Sequence, residues 1–309
     1  MIKKGVVYCS TGSHYRVKSE GKFHDCRIKG KFRIQGIKST NPVAVGDKVL
    51  FKIESKEEES MGVITEIEPR QNYIVRKSVN LSKQIHIIAS NIDQAFLMIT
   101  LKTPSTYPAF IDRFLVTAKA YEINVVLIFN KTDIYSPEEL EQMRTLKSIY
   151  EQIGYTCYEV VATDANTLGD IKEKMIEKVS MFSGHSGVGK STLVNSLSPS
   201  LDLKTGDVSL QHDQGQHTTT YAEMFDLERG VKIIDTPGIK GFGVVDIKRE
   251  ELSGYFTEFS VLKKDCKFNN CMHINEPHCA VKVALENGEI AQSRYKSYLQ
   301  LLEDDALYR

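Results

Sequence analysis

The chain of 309 residues is long enough for two or three domains and a sizeable core, with 41% apolar and 26% charged residues. No apolar run approaches the ~20 residues of a bilayer-spanning helix, and Met1–Ser10 lacks the apolar core of a secretion signal. A soluble cytoplasmic protein with no membrane partner is expected. The formal net charge is zero, yet residues 1–52 carry 12 Lys+Arg against 3 Asp+Glu, so a basic module heads an acidic remainder. That asymmetry points to a polyanionic partner, most simply RNA, with a solvated lysine-rich β-surface as the plainer alternative.

Residues 1–72 read as five short strands: GVVYC, HYRVK, KFHDCRIKG, DKVLFKI and GVITEIEP. Each carries β-branched or aromatic residues, between turn formers such as Thr11-Gly12-Ser13 and Val45-Gly46-Asp47. A small Greek-key barrel of the OB type fits this pattern, and an SH3-like barrel would read much the same. Residues 73–90 are expected to be a linker with extra basic charge.

From 91 to about 245 strands alternate with helices, the pattern of an α/β doubly wound domain with a mostly parallel sheet. Strands are expected at Asp93–Thr100, Asn124–Phe129, Tyr158–Ala162, Val179–Ser183 and Val231–Asp235, and a helix over Pro108–Tyr121. Ser136-Pro137-Glu138-Glu139 is a helix start, with Ser as cap, Pro in the first turn and Glu three residues after the cap. Beyond 245 the tail reads as helical around a Cys/His cluster, ending in a charged amphipathic helix near 289–304.

Gly184, His185, Ser186, Gly187, Val188, Gly189, Lys190 and Ser191 fit G-x-x-x-x-G-K-[ST] at every fixed position, with Thr192 next in line. The stretch follows a predicted strand and precedes a predicted helix, the context in which backbone N–H groups cradle phosphate. Lys190 is placed to reach the β- and γ-phosphates, and the Ser191 hydroxyl to ligate Mg²⁺. Asn130-Lys131-Thr132-Asp133 closes the strand VVLIF. Its aspartate can accept hydrogen bonds from the guanine N1–H and 2-amino group, donors that adenine does not present together. Lys131 would lie along the base and Asn130 would brace the loop.

Asp235-Thr236-Pro237-Gly238 ends the strand VKIID. Asp235 can hold Mg²⁺ through water, and the Gly238 N–H can contact the γ-phosphate. Gln216-His217-Thr218-Thr219-Thr220 offers the second hydroxyl ligand for Mg²⁺. Which threonine serves is open in the sequence, and Thr219 is the choice made. Cys266, Cys271, His273 and Cys279 form a three-sulfur, one-nitrogen set suited to a closed, structural Zn²⁺ site, with His278 a rival for the nitrogen position. The remaining cysteines, Cys9, Cys26 and Cys157, are scattered and suggest no disulfide framework.

The order of these motifs is rotated: N-K-x-D precedes the phosphate loop, which precedes D-T-P-G. Together with the basic barrel and the Cys-x4-Cys-x-His-x5-Cys tail, that order resembles the circularly permuted, small-ribosomal-subunit-dependent GTPase family (RsgA/YjeQ) over the whole chain. The resemblance implies a barrel over 1–72, a permuted GTPase domain over 91–245 and a zinc-binding helical domain over 246–309. It also implies a monomer that binds GTP/GDP and the rRNA of the small ribosomal subunit late in maturation, with hydrolysis stimulated by the subunit. It selects His273 as the zinc ligand. This chain departs from the family in having Gln216 where Arg often stands, and Val161-Ala162-Thr163 where a Ser-Ala loop supports guanine. Ile239 follows Gly238, where many small GTPases place a water-orienting Gln. Slow intrinsic hydrolysis follows, with His217 the candidate catalytic residue and a structural loop histidine the alternative. Two other functions compete: an RNA-binding module with a purely structural nucleotide, and an ATP-using P-loop enzyme, against which N-K-x-D argues.

Overall fold

The computed structural model describes residues 2–28, 42–56, 59–77, 85–198, 222–235 and 247–304. They fall into two compact units, one made of 1–95, 171–182 and 206–240, the other of 96–170, 183–205 and 241–309.

In the first unit, β1 (Ile2–Ser10), β2 (Tyr15–Ser19), β3 (Lys22–Ile28), β4 (Lys48–Lys56) and β5 (Glu59–Ile67) form the expected five-stranded barrel. Neighbours run in the order β1-β2-β3-β5-β4, and β4 pairs back onto β1, so the barrel closes. Four of the five pairings are antiparallel, while β3 and β5 run parallel. Alternation points Val7, Tyr15, Val17, Cys26, Val49, Phe51 and Ile64 into a dry core. Gly62 lets the wall close, because a Cβ there would lie 2.4 Å from the Cys26 sulfur.

The stretch read as a linker contains a hairpin, β6 (Tyr73–Lys77) with β7 (Ile85–Ser90). Its β-branched residues Ile74, Val75 and Ile87 are buried, which gives the stretch a reason to pair. The buried carboxylate of Asp47 joins hairpin to barrel: Arg70 donates to both its oxygens (2.6 and 2.7 Å) and Ser90 Oγ donates at 2.6 Å. Three further strands complete this unit: β11 (Val179–Ser183), β12 (Glu223–Asp226) and β13 (Lys232–Asp235). β11 runs parallel to β13, β13 antiparallel to β12, and β12 antiparallel to β1.

In the second unit β8 (Gln94–Ile99), β9 (Asn124–Phe129) and β10 (Thr156–Glu159) are neighbours, β9 and β10 in parallel. β8 is buried at every residue, as a strand covered on both faces must be. The helices are α1 (Pro108–Ala120), α2 (Pro137–Gln152), α4 (Lys190–Leu197), α5 (Thr257–Leu262), α6 (Ala280–Glu286) and α7 (Gln292–Glu303), with α3 (Gly169–Met175) crossing the boundary of the two units. α2 starts on the expected capping box: Glu139 N–H donates to Ser136 Oγ, and the Glu139 carboxylate accepts from Ser136 N–H at 2.8 Å. The expected strand at Tyr158–Ala162 forms earlier, over Thr156–Glu159, because Val161 to Thr167 is drawn into a turn closed by Thr167 Oγ1 on the Val161 and Asp164 carbonyls. Past β13 no strand occurs among the described residues, and none of their helices is long and apolar enough to cross a membrane.

Candidate functional site

The phosphate loop follows β11 and opens α4, the context its motif requires. Two glycines are fixed by close approach as well as by backbone conformation. Gly184 (φ 142°) would place a Cβ 2.7 Å from the Met98 carbonyl, and Gly189 (φ 103°) would place one 2.5 Å from Asn130 Nδ2. The Lys190 ammonium donates to the carbonyls of Gly184 (2.8 Å) and His185 (2.7 Å), so the cation lies over its own loop. The His185 ring packs on Phe110 of α1, centroids 4.0 Å apart. Ser186 and Gly187 are exposed, Val188 is fully buried, and Ser191 and Thr192 are half-buried on the first turn of α4.

The Asn130–Asp133 motif is tied to that loop through side chains. Asn130 is 1% exposed. Its Nδ2 donates to the Val188 carbonyl at 2.8 Å, 58 positions along the chain, and its Oδ1 accepts from Ala162 N–H at 3.0 Å. One amide thus holds three loops with both of its hydrogen-bonding ends used. Lys131 sits in the left-handed region (φ 63°), and its ammonium donates to the carbonyls of Gly187 (2.8 Å) and Thr103 (2.6 Å). Thr132 Oγ1 donates to the Val160 carbonyl. Asp133 opens outward with its carboxylate exposed. The Tyr135 hydroxyl donates to the Asn130 carbonyl and accepts from Leu101 N–H, each at 2.9 Å. Burial raises its pKa and keeps it protonated, so the donor is always present. Tyr135 carries no motif signature, and sequence reading passed it over. Ala162 lies in the degraded Ser-Ala loop, where a backbone N–H serves whatever the side chain is.

Asp235 closes β13 in the first unit, opposite Glu223 of β12. The other expected nucleotide and magnesium residues, Gly238 and Thr219, and the catalytic candidate His217 lie outside the described residues, as do Gln216 and Ile239.

In the tail the ligand atoms of Cys266, Cys271, His273 and Cys279 all lie within 4.8 Å of one another. His273 Nδ1 is 3.3 Å from Cys279 Sγ and 3.6 Å from Cys266 Sγ, and those two sulfurs are 4.0 Å apart. A tetrahedral ion with Zn–S of about 2.3 Å and Zn–N of about 2.0 Å would set such edges at ~3.5–3.8 Å, so the donor set fits zinc in size and softness. His278 is exposed and stands apart from the four. Burial holds the His273 imidazole below its ordinary range, in the neutral form that ligates metal. The backbone around the set is braced: Tyr295 donates to the His273 carbonyl (2.7 Å) and Tyr298 to the Met272 carbonyl (2.6 Å). The Glu276 carboxylate accepts from Met272 N–H (2.7 Å) and Ile274 N–H (2.8 Å).

Two family models match the chain: RsgA GTPase over residues 67–245 and RsgA N-terminal domain over residues 4–64. A protein of Christiangramia forsetii named small ribosomal subunit biogenesis GTPase RsgA is 63% identical, over 98% of this chain and 96% of its own. One of the same name from Flavobacterium johnsoniae is 61% identical over 97% and 93%. The crystal structure of YjeQ from Thermotoga maritima matches with a TM-score of 0.80 at 34% identity, covering 100% of both chains. That of YloQ, described as a circularly permuted GTPase, matches at 0.75 and 30% identity, covering 98% of this chain and 94% of that one.

Proposed function

The chain belongs to the RsgA GTPase family, and from that premise we propose that it hydrolyses GTP during late maturation of the small ribosomal subunit, binding rRNA and being stimulated by the subunit. Its carrying observation is the Asn130 amide, which locks the guanine-reading motif onto the phosphate loop although the two stand in rotated order. A nucleotide has to touch both motifs at once, and only a fixed spacing between them can read base and phosphate together.

In this reading Asp133 accepts from the guanine N1–H and 2-amino group, while Lys131 lies along the base. Thr132 completes the loop that presents Asp133. The backbone N–H groups from Gly184 to Thr192 cradle the phosphates. Lys190 exchanges its loop carbonyls for phosphate oxygens. Ser191, Thr219 and, through water, Asp235 would hold Mg²⁺, which neutralises charge developing between the phosphates. Gly238 senses the γ-phosphate, and His217 orients or activates water. Cys266, Cys271, His273 and Cys279 would hold one Zn²⁺ with no open position, so its contribution is to the fold. The protein works as a cytoplasmic monomer.

Two measurements test this. GTP turnover is measured with and without purified small subunits, and a rate that the subunits leave unchanged would sink the ribosomal role. Asp133→Asn should move preference from guanosine toward xanthosine nucleotides, by at least about 100-fold in relative affinity, because each partner then meets a mismatched edge. Unchanged preference would remove Asp133 from the base site.

A further inference from the structure

The outer face of the barrel carries a cluster that the nucleotide reading leaves unused. Alternation along β2 sends Arg16 and Lys18 outward while Tyr15, Val17 and Ser19 turn in. A bulge in β1 between Val7 and Cys9 inserts Tyr8. On β3, Phe23 pairs with Lys18 and is 50% exposed. The four side chains interlock: Arg16 lies 5.1 Å and Lys18 5.4 Å from the Phe23 ring centroid, Lys18 lies 5.5 Å from that of Tyr8, and the two rings meet edge to face at 5.3 Å. Two cations interleaved with an exposed aromatic ring is the composition that binds single-stranded nucleic acid, with cations for phosphate and the ring for a base.

Those cations are engaged by carboxylates from far along the chain. Arg16 pairs with Glu223 and Lys18 with Asp226, and the Tyr8 hydroxyl donates to Asp226 at 2.6 Å. Both acids sit on β12, which is hydrogen-bonded to β1 at Cys9 and Glu223. The cluster residues other than Tyr8 keep a quarter to a half of their side-chain surface, so the pairs are open to competition from solvent.

We propose that Glu223 and Asp226 act as a built-in competitor for a single-stranded RNA site on Arg16, Lys18 and Phe23, their carboxylates standing where RNA phosphates would bind. RNA on this face and the ion pairs to β12 then exclude each other. This inference rests on the proposed RNA binding and adds to it a named face and a named mask.

The test is fluorescence anisotropy of a labelled 12-nucleotide oligouridylate with the full chain, for which Glu223→Gln with Asp226→Asn is the principal variant. Removing the two carboxylates should tighten binding about five- to tenfold, the range that two partly exposed ion pairs can withhold. Glu66→Gln with Glu228→Gln, two exposed carboxylates of the same unit outside the cluster, should change it less than about twofold by the same reasoning. Arg16→Gln with Lys18→Gln should weaken binding and lower the slope of log affinity against log salt by about 1.4, for two contacts at ~0.7 each. Equal tightening by both acid-neutralised variants would overturn the mask and leave only a general charge effect. Unaltered affinity after loss of Arg16 and Lys18 would overturn the face. If neither the wild type nor the variant lacking the mask binds the oligonucleotide, the RNA reading itself fails. Binding in the wild type that the unmasked variant merely equals retires the competitor alone.

Discussion

The nucleotide loops and the cysteine tail belong to the same unit and are held by opposite means. Around Asn130 and Lys190 the fastenings are hydrogen bonds between side chains and the backbone, and Lys131 and Lys190 use their ammonium groups on loop carbonyls. Such bonds contribute about 1–3 kcal/mol each, the upper end for the ammonium donors. The tail is held by groups withdrawn from water. Phe256, Phe259 and Tyr298 fill its core beside Cys266, Cys271, His273 and Cys279, a set that could hold a metal ion. Arg294, 2% exposed, donates to Asp112 of α1 at 2.6 Å and to Glu258 at 2.7 and 3.0 Å, with its guanidinium over the Phe256 ring at 4.6 Å. Burial works against the charge on Arg294, and the two carboxylates outweigh it and hold the pKa above its ordinary range. The loops around Asn130 are thus stitched with side-chain-to-backbone hydrogen bonds, while the tail sequesters paired charge in its core.

The sharpest way to break this contrast is to remove the metal donors. Cys279→Ser, or zinc chelation, should unfold the tail as a unit, because structural zinc sites contribute about 10–16 kcal/mol of apparent binding energy to folding. Zinc content together with thermal unfolding checks it, and a chain that keeps its unfolding profile without metal would make the cluster ornamental. Arg294→Met should cost about 3–5 kcal/mol in urea denaturation, since Asp112 and Glu258 lose the cation they share and Asp112 keeps only neutral donors such as the Tyr150 hydroxyl. Replacing Asp112 and Glu258 with apolar residues as well should recover much of that loss. Asn130→Ala should act in the opposite proportion. GTP affinity should fall at least about tenfold while stability falls by only about 1–3 kcal/mol, the cost of leaving the Val188 carbonyl and Ala162 N–H unsatisfied. A stability loss as large as that of Arg294→Met, with affinity intact, would erase the distinction.

The smallest effect concerns pH. Burial alone would push the Asp226 carboxyl up, but the hydrogen bonds from Lys18 and Tyr8 outweigh it and hold it below the ordinary carboxylate range. A carboxyl depressed on folding stabilises above its unfolded pKa and loses that contribution as pH falls through the folded value. The difference in melting temperature between wild type and Asp226→Asn should therefore be present at neutral pH and close in acid. A difference that persists below the carboxylate range would assign it to packing.

What could be read directly from the residues shares one property: the chemistry is local. Glycine spacing around Lys190, the capping box at Ser136 and Glu139, the β-branched and aromatic strands of the barrel between their turn formers and the close-set donors from Cys266 to Cys279 each depend on neighbours a few positions away. Even there spacing alone left His273 and His278 level; the family resemblance chose His273, and the burial of His273 beside an exposed His278 agrees with that choice. What only the tertiary structure decided was which distant groups meet. The parallel pairing of β3 with β5 closes the barrel, Arg294 reaches Asp112 across 182 positions, and Arg16 finds Glu223 across 207. No periodicity records such encounters, because a buried or paired charge takes its partner from the packing of whole elements and not from its own flanks.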